Sequence, residues 1–275
     1  MNHIVINNFS KLRLSLLFLP LILLFLVVVF LYTQNALNVD GYINIQKDLF
    51  YFLNSKLSQF PKTQYNLTQV GDALIGMSFL TILIIYAPKI WESLLTGSLV
   101  SLVLSGFFKN LFKIPRPAVM LDHESFTIIG KILTGHSSLP SGHSITTFTI
   151  ITIIMFGFMP KKLIQKIVWC ISLLILGLII VATRVAVGAH FPIDVLVGSI
   201  LGFLSGLLGI LINQKYTIWM WINQKKYYPF FILLFVSCII VLISKIRLEN
   251  LLIYYLSIIS LSFSLYKVIK IYAKK

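Results

Sequence analysis

Long apolar runs alternate with short polar segments along the 275 residues of the chain. Eight of these runs approach or exceed the roughly 20 residues that a helix needs to cross a bilayer. They cover 14–32, 70–87, 91–108, 143–159, 167–187, 194–212, 229–245 and 251–268. The pattern predicts an all-α polytopic membrane helical bundle, with a tight helical hairpin between the second and third spans.

The composition supports a membrane protein, because 58% of the residues are hydrophobic and only 11% are charged. Soluble domains carry roughly 25% charged residues. The first apolar run follows Lys11 and Arg13, is longer than the apolar region of a signal peptide, and precedes no small-residue cleavage pattern. We therefore expect an uncleaved membrane anchor at this position.

The charges are distributed unevenly between the two predicted sides of the membrane. If the N-terminus is cytoplasmic, the inside segments with the adjoining span ends hold 13 cations and one acid, and the outside segments with the adjoining span ends hold 10 cations and seven acids. The positive-inside rule favours this orientation, with both termini in the cytoplasm. It also explains the formal charge of +15 without a nucleic-acid partner.

Four segments are then predicted outside: 33–69, 109–142, 188–193 and 246–250. The first contains a pattern typical of a short amphipathic helix, near Ile43 to Leu57, that would lie on the membrane surface. Three groups of polar residues fall at the outer ends of spans. Ionisable residues at such positions are functional candidates, because burying them costs free energy.

The first group is KNLFKIPRP, from Lys109 to Pro117. Lys109 and Arg116 are seven residues apart, so a helix would place them on one face. Pro115 and Pro117 end the helix nearby. Two cations that extend their charged ends to the membrane surface are the alternative interpretation of this segment.

The second group is PSGH, from Pro140 to His143, at the predicted start of the fourth span. A helix start presents free backbone N–H groups and suits an anion. Ser141 can cap the helix and donate a hydrogen bond, and Gly142 permits close approach of the backbone. An ordinary helix cap beside an interfacial histidine remains the alternative.

The third group is TRVAVGAHFPID, from Thr183 to Asp194. Arg184 ends a long apolar run, where an unpaired cation is costly. His190 and Asp194 are four residues apart, so the carboxylate can accept the ring N–H and fix the tautomer. A purely structural His–Asp pair is the alternative.

Taken together, the groups supply three cations, two histidines, a carboxylate, a hydroxyl and a helix start on one side of the membrane. Such a set suits a phosphate dianion, with the histidines as nucleophile and proton donor.

The three motifs, in this order and with these spacings, resemble the type 2 phosphatidic acid phosphatase superfamily, which includes the vanadium haloperoxidases. Thr183 stands where that family usually has serine. The resemblance covers about 70–212. It implies a six-helix phosphatase core within 1–212. The two additional C-terminal transmembrane helices and the cytoplasmic tail predicted within 213–275 lie outside the family pattern.

The resemblance also implies a role for each residue. His190 would attack phosphorus and form a phosphohistidine, Asp194 would orient it, and His143 would protonate the leaving oxygen and then activate water. The residues expected to bind the phosphate are Lys109, Arg116, Ser141, Gly142 and Arg184. No metal and no cofactor are expected, and Asp122, His123 and Glu124 are interpreted as a solvated loop.

A phosphate site at the outer membrane boundary predicts a membrane lipid phosphate as substrate: undecaprenyl diphosphate, lipid A, phosphatidic acid or phosphatidylglycerol phosphate. The residue usage is typical of a low-GC bacterium, which would put the protein in the cytoplasmic membrane with its site facing the periplasm or exterior. A lipid phosphotransferase with the same intermediate and a non-enzymatic protein that binds anionic lipid remain alternatives. Haloperoxidase chemistry is disfavoured, because those enzymes are soluble.

Overall fold

The computed structural model describes residues 1–273, and within them the chain is all-helical. The α-helices are α1 (Asn2–Phe9), α2 (Phe18–Thr33), α3 (Val39–Leu57), α4 (Pro61–Gln69), α5 (Ala73–Ser78), α6 (Leu83–Tyr86), α7 (Pro88–Phe112), α8 (Pro117–Met120), α9 (Gly142–Gly157), α10 (Leu163–Ala186), α11 (Pro192–Lys215), α12 (Tyr228–Leu248) and α13 (Leu252–Ala273). The predicted helical bundle is confirmed.

Six helical segments within the described residues are long and apolar enough to cross a membrane. They are Leu14–Thr33, Pro88–Met120, Leu163–Ala186, Pro192–Lys215, Lys225–Leu248 and Leu252–Ala273. The predicted fourth span is the shorter apolar helix α9, which has 16 residues. These segments match seven of the eight predicted spans.

The prediction of one continuous helix over 70–87 was wrong. Two short helices, α5 and α6, stand there, separated by turns at residues 79–82. The Thr81 hydroxyl donates to the Ser78 carbonyl at 2.8 Å, and the Ser260 hydroxyl of α13 donates to the same carbonyl at 2.9 Å. Side-chain hydroxyls thus replace some of the backbone hydrogen bonds of a continuous helix. Hydropathy along the sequence does not detect this competition.

The broken segment still runs the length of α9. At one end, Gly71 packs against His143 in the first turn of α9, and at the other, Ile90 packs against Gly157 in its last turn. The predicted hairpin between the second and third spans is present, since the chain turns at Ala87 and α7 begins at Pro88. Proline suits a first helical position, where no backbone donor is needed.

Helix α11 is the centre of the bundle and packs closely against α9 and α7. Four glycines on its buried side, Gly198, Gly202, Gly206 and Gly209, bring its backbone against the neighbouring helices. Small residues allow this approach in membrane bundles, where packing rather than the hydrophobic effect holds helices together. The motif-bearing ends of α7, α9, α10 and α11 are thereby fixed next to one another.

We expect Gly202→Ala to lower the melting temperature of the detergent-purified protein. A Cβ at this position would lie 2.4 Å from the Ile145 carbonyl oxygen, so the backbone must shift. Overpacking of this kind costs about 1–3 kcal/mol. Gly106→Ala in α7 is the matched control, because nothing lies within 4 Å of its Cβ position. Equal melting temperatures for the two variants would contradict the proposed packing.

Candidate active site

The three sequence groups come together at one end of the bundle. Arg116 Nη1 donates to the Ala189 carbonyl at 3.0 Å and lies 3.3 Å from His190 Nε2. Lys109 Nζ lies beside Gly142, 3.6 Å from where a Cβ on that glycine would be. The predicted phosphate-binding and catalytic residues are therefore neighbours in space.

The chain after α7 is shaped to bring Arg116 to His190. Lys113 adopts a left-handed conformation, with φ 48°, and ends α7. The Arg116 amide then donates to the Gly135 carbonyl at 3.0 Å, and the Ser138 amide donates to the Ile114 carbonyl at 2.9 Å. These bonds join the first motif to the loop that carries the second.

Arg184 is buried at the end of α10 with one charged nitrogen unsatisfied. Its Nη1 donates to the Thr68 hydroxyl at 2.7 Å, whereas Nε has no hydrogen-bond partner among the residues that the structure describes. Only 6% of the residue is exposed. A buried donor of this kind needs an acceptor, and an anion in the site would supply one.

Ser141 caps the start of α9. Its Oγ accepts from the Ser144 amide at 3.4 Å and from the Ser144 hydroxyl at 2.9 Å. Since both bonds use Ser141 as an acceptor, its own proton remains available for an anion. The first amides of α9 add backbone donors and the positive end of the helix dipole.

Asp194 is fully buried and receives hydrogen bonds from three parts of the chain. Its carboxylate accepts from the Tyr42 hydroxyl at 2.6 Å, from the Ser138 hydroxyl at 2.5 Å and from the Phe191 amide at 2.9 Å. Burial, followed by the charge of Asp194, raises the pKa of Tyr42, so this phenol stays protonated and donates.

Ser138 stands between the histidine and the carboxylate. Its Oγ lies 3.4 Å from His190 Nδ1, and the direct distance from Nδ1 to Asp194 Oδ2 is 3.5 Å. A chain from Nδ1–H to the serine hydroxyl to the carboxylate keeps the proton on Nδ1. The Nε2 lone pair then faces Arg116 and the cationic cluster.

The His190 ring is neutral in this environment. Burial lowers its pKa well below the usual value, and the charges of Arg116, Arg184 and Lys109 lower it further. A neutral imidazole retains the lone pair that a nucleophile requires.

Several residues that hold the site were not identified from the sequence. They are Tyr42, Gln46, Asn54, Thr68 and Ser138. Tyr42, Gln46, Phe50 and Asn54 are buried and recur every four residues along α3, which places them on one face. That spacing is the signal that could have identified three of them.

Helix α3 confirms the helix that was predicted near Ile43 to Leu57, although it begins at Val39. Its polar face packs on the protein: Gln46 Oε1 accepts from the Ile193 amide, and Asn54 Nδ2 donates to the carbonyls of Val185 and Ala186. The helix therefore supports the turn that carries His190.

The turn between α10 and α11 depends on Gly188, where φ is +72°. A Cβ at this position would lie 2.8 Å from the Phe126 ring and 2.9 Å from the Thr127 carbonyl oxygen.

Two residues of the motif regions make no hydrogen bond to the cationic cluster within the described residues. The Thr183 hydroxyl donates to the Ile180 carbonyl within α10 at 2.5 Å. His136, the first histidine of the stretch GHSSLPSGHS (135–144), is exposed.

Within residues 1–273 the structure contains no group of three or more His, Cys, Asp or Glu side chains that could hold a metal ion. In the loop after α8, His123 Nε2 lies 2.7 Å from the Ala118 carbonyl oxygen, and Asp122 accepts from the Glu124 amide at 3.2 Å. These polar residues make local contacts in an exposed loop.

Two cavities meet at His143. One, of about 540 Å³, extends from His143 and Arg184 toward α12. The other, of about 550 Å³, runs along α7 from Gly142 and His143 past Leu99 to Trp219, with a mostly apolar lining. The site thus connects to a polar mouth and to an apolar groove.

Comparison with known proteins agrees with this geometry. Residues 90–218 match the family model of the PAP2 superfamily. The solved structure of LpxE from Aquifex aeolicus is similar, with 26% sequence identity and a TM-score of 0.50, over 62% of this chain and 96% of that chain. No curated protein matches the sequence.

The family match begins at 90 and ends at 218, so the broken segment 70–87 and the helices α12 and α13 lie outside it. All three motifs lie inside it. The resemblance that the motifs indicated is confirmed.

We expect inorganic phosphate to raise the melting temperature of the purified protein, because a ligand that binds only the folded state stabilises it. Arg184→Gln should remove most of this response, since it removes the unsatisfied buried donor. Arg247→Gln is the control, because Arg247 is an exposed cation on α12. An undiminished phosphate response in Arg184→Gln would contradict the assignment of Arg184 as an anion ligand.

Proposed function

We propose that this membrane protein, whose residues 90–218 match the PAP2 superfamily model, hydrolyses a phosphomonoester or diphosphate of a membrane lipid through a phosphohistidine intermediate. The family match and the likeness to LpxE support a membrane lipid phosphatase. The observation that supports the finer proposal most is the position of His190 Nε2, which lies 3.3 Å from Arg116 Nη1 beside the cationic cluster. Burial, followed by the charges of Arg116, Arg184 and Lys109, lowers the pKa of His190 and favours the neutral ring.

In the first step, His190 Nε2 attacks phosphorus as the bond from phosphorus to the leaving oxygen breaks. Lys109, Arg116 and Arg184 bind the phosphoryl oxygens, together with the Ser141 hydroxyl and the Gly142 amide. These donors are fixed before the reaction and stabilise charge that develops in the transition state. As His190 becomes positively charged, the Nδ1 proton is held by Ser138 and Asp194.

His143 moves the proton in both steps. With a phosphate dianion bound among the cations, His143 as an imidazolium gives its proton to the leaving oxygen when the phosphohistidine forms, and it is left neutral. It then takes a proton from a water molecule, which attacks phosphorus and breaks the phosphorus–nitrogen bond, releasing inorganic phosphate. The chemistry uses side chains and backbone alone, so we propose that the enzyme is independent of metal ions.

The apolar groove beside His143 supports a lipid as substrate. The leaving group must lie on the side of His143, because His143 protonates it. The groove starts at Gly142 and His143 and continues along Leu95, Leu99 and Leu102 of α7. A lipid chain attached to the leaving oxygen would be bound by contact with this apolar surface. A water-soluble alcohol would gain no binding free energy from it.

The charge asymmetry of the sequence supports the orientation. We propose that both termini face the cytoplasm and that the catalytic end of the bundle faces the outer side of the cytoplasmic membrane. The helix ends that carry the site lie opposite the N-terminal helix α1, whose Asn8 bonds to the Gly157 carbonyl at the far end of α9.

His190→Ala should abolish phosphate release from lipid phosphates by detergent-purified protein, and His143→Ala should reduce it nearly as much. The panel comprises phosphatidic acid, phosphatidylglycerol phosphate, undecaprenyl diphosphate and lipid A. His136→Ala is the control, because this histidine is exposed in the same loop. Activity on none of these lipids, or full activity of His190→Ala, would overturn the proposal.

Ser138→Ala should lower kcat by about 10–100-fold with a smaller change in KM. A hydrogen bond to a charged group contributes roughly 1.5–3 kcal/mol, and each 1.36 kcal/mol changes a rate by about tenfold. Ser137→Ala provides the control at the preceding position. A kcat for Ser138→Ala equal to that of wild type would show that the serine does not position His190.

A further inference from the structure

The helical pair α12 and α13, named here the C-terminal hairpin, follows the last residue of the family match. It contacts the broken segment and α4, on the side of the bundle next to His143. The catalytic steps proposed above use no residue of these two helices. Their position next to the site therefore needs a separate explanation.

Four contacts fix the C-terminal hairpin to the segment between Asn66 and Thr81. Lys245 Nζ pairs with Asp72 Oδ2 at 3.1 Å, and the Ile253 amide donates to Asn66 Oδ1 at 3.0 Å. Farther along α13, Ser264 Oγ lies 2.8 Å from Thr81 Oγ1, and the Ser260 hydroxyl donates to the Ser78 carbonyl at 2.9 Å. The hairpin is therefore attached both at the start of the broken segment, near Asp72, and at its break, near Thr81.

This attachment places the hairpin at the mouth of the site. The cavity of about 540 Å³ that opens on His143 and Arg184 is closed on one side by Lys245, Glu249 and Tyr254. Gly71, one residue before Asp72, packs directly on the His143 side chain. Both cavities are lined by His143 and Asp72. The part of the head group next to the leaving oxygen would therefore lie against the hairpin, and the lipid chain would continue along the apolar groove.

The residues that line the cavity of about 540 Å³ outside the cationic cluster of Arg184 are called the wall here, and their charges cancel. Asp72 and Glu249 contribute two carboxylates, and Lys131 and Lys245 contribute two ammonium groups. A second phosphate placed here would meet no net positive charge and would lie near two carboxylates. A diphosphate group is therefore poorly matched to this wall.

The wall is instead rich in groups that bind hydroxyls. Glu249 accepts from the Tyr254 hydroxyl at 3.1 Å, and its carboxylate has further lone pairs available. Burial, followed by Glu249, raises the pKa of Tyr65, which keeps this phenol a donor. Gln69 adds an amide. Carboxylate, phenol and amide together provide both acceptors and donors.

We propose that the C-terminal hairpin completes a head-group subsite that takes a hydroxyl-bearing, phosphomonoester head group in preference to a diphosphate. The proposal rests on the proposed lipid phosphatase function. Glu249 is the residue on which the selection depends most, because it is the carboxylate of the wall without an ion pair within 4 Å in the described residues.

The test compares wild type and Glu249→Gln on three lipids in detergent micelles. Lysophosphatidic acid carries a free hydroxyl beside its single phosphate, phosphatidic acid carries none, and a polyprenyl diphosphate carries a second phosphate. In Glu249→Gln we expect kcat/KM to fall about tenfold for lysophosphatidic acid, as the loss of a hydrogen bond to a charged group predicts. It should stay within about twofold for phosphatidic acid and rise for the diphosphate, because the wall loses a negative charge.

Glu124→Gln is the matched control, since Glu124 is an exposed carboxylate outside the cavity, and it should leave all three values unchanged. Melting temperatures of both variants check that they fold. Equal falls on all three lipids, or an unchanged ratio between them, would overturn the subsite and leave the phosphatase function intact. Failure of wild type to release phosphate from these three lipids and from every lipid of the panel named under Proposed function would overturn both.

Discussion

The buried carboxylate of Asp194 is the constraint on which the site depends. An ionised carboxylate removed from water is stable only when donors replace its hydration. Tyr42 from α3, Ser138 from the loop before α9 and the Phe191 amide before α11 supply three hydrogen bonds. Because the donors come from three separate parts of the chain, satisfying this one group fixes those parts around His190.

The cations of the site, in contrast to the carboxylate, have too few partners of opposite charge. Lys109, Arg116 and Arg184 share a partly or fully buried space with one carboxylate, and Arg184 Nε is left without an acceptor in the described residues. Like charges held together destabilise the free protein, and a phosphate relieves that repulsion. The same cations lower the pKa of His190 and keep it nucleophilic. One arrangement thus serves both binding and activation.

The sequence predicted the bundle and the eight proposed catalytic and phosphate-binding residues, because apolar length and motif spacing are local properties. It could not predict the break in the second span, which arises from hydroxyls of Thr81 and, across the bundle, Ser260. Tyr42 and Ser138 were missed for a related reason. Their function comes from contact with Asp194, 152 and 56 residues away, and no local pattern encodes that contact.

The central claim is that His190 carries the phosphoryl group during turnover. The most direct measurement is rapid acid-free quenching of purified protein with a lipid labelled on phosphorus, followed by mapping of the label by mass spectrometry. We predict an acid-labile phosphate on His190 of the wild type and no label in His190→Ala. Phosphate release without label on His190, or label on another residue, would contradict the account.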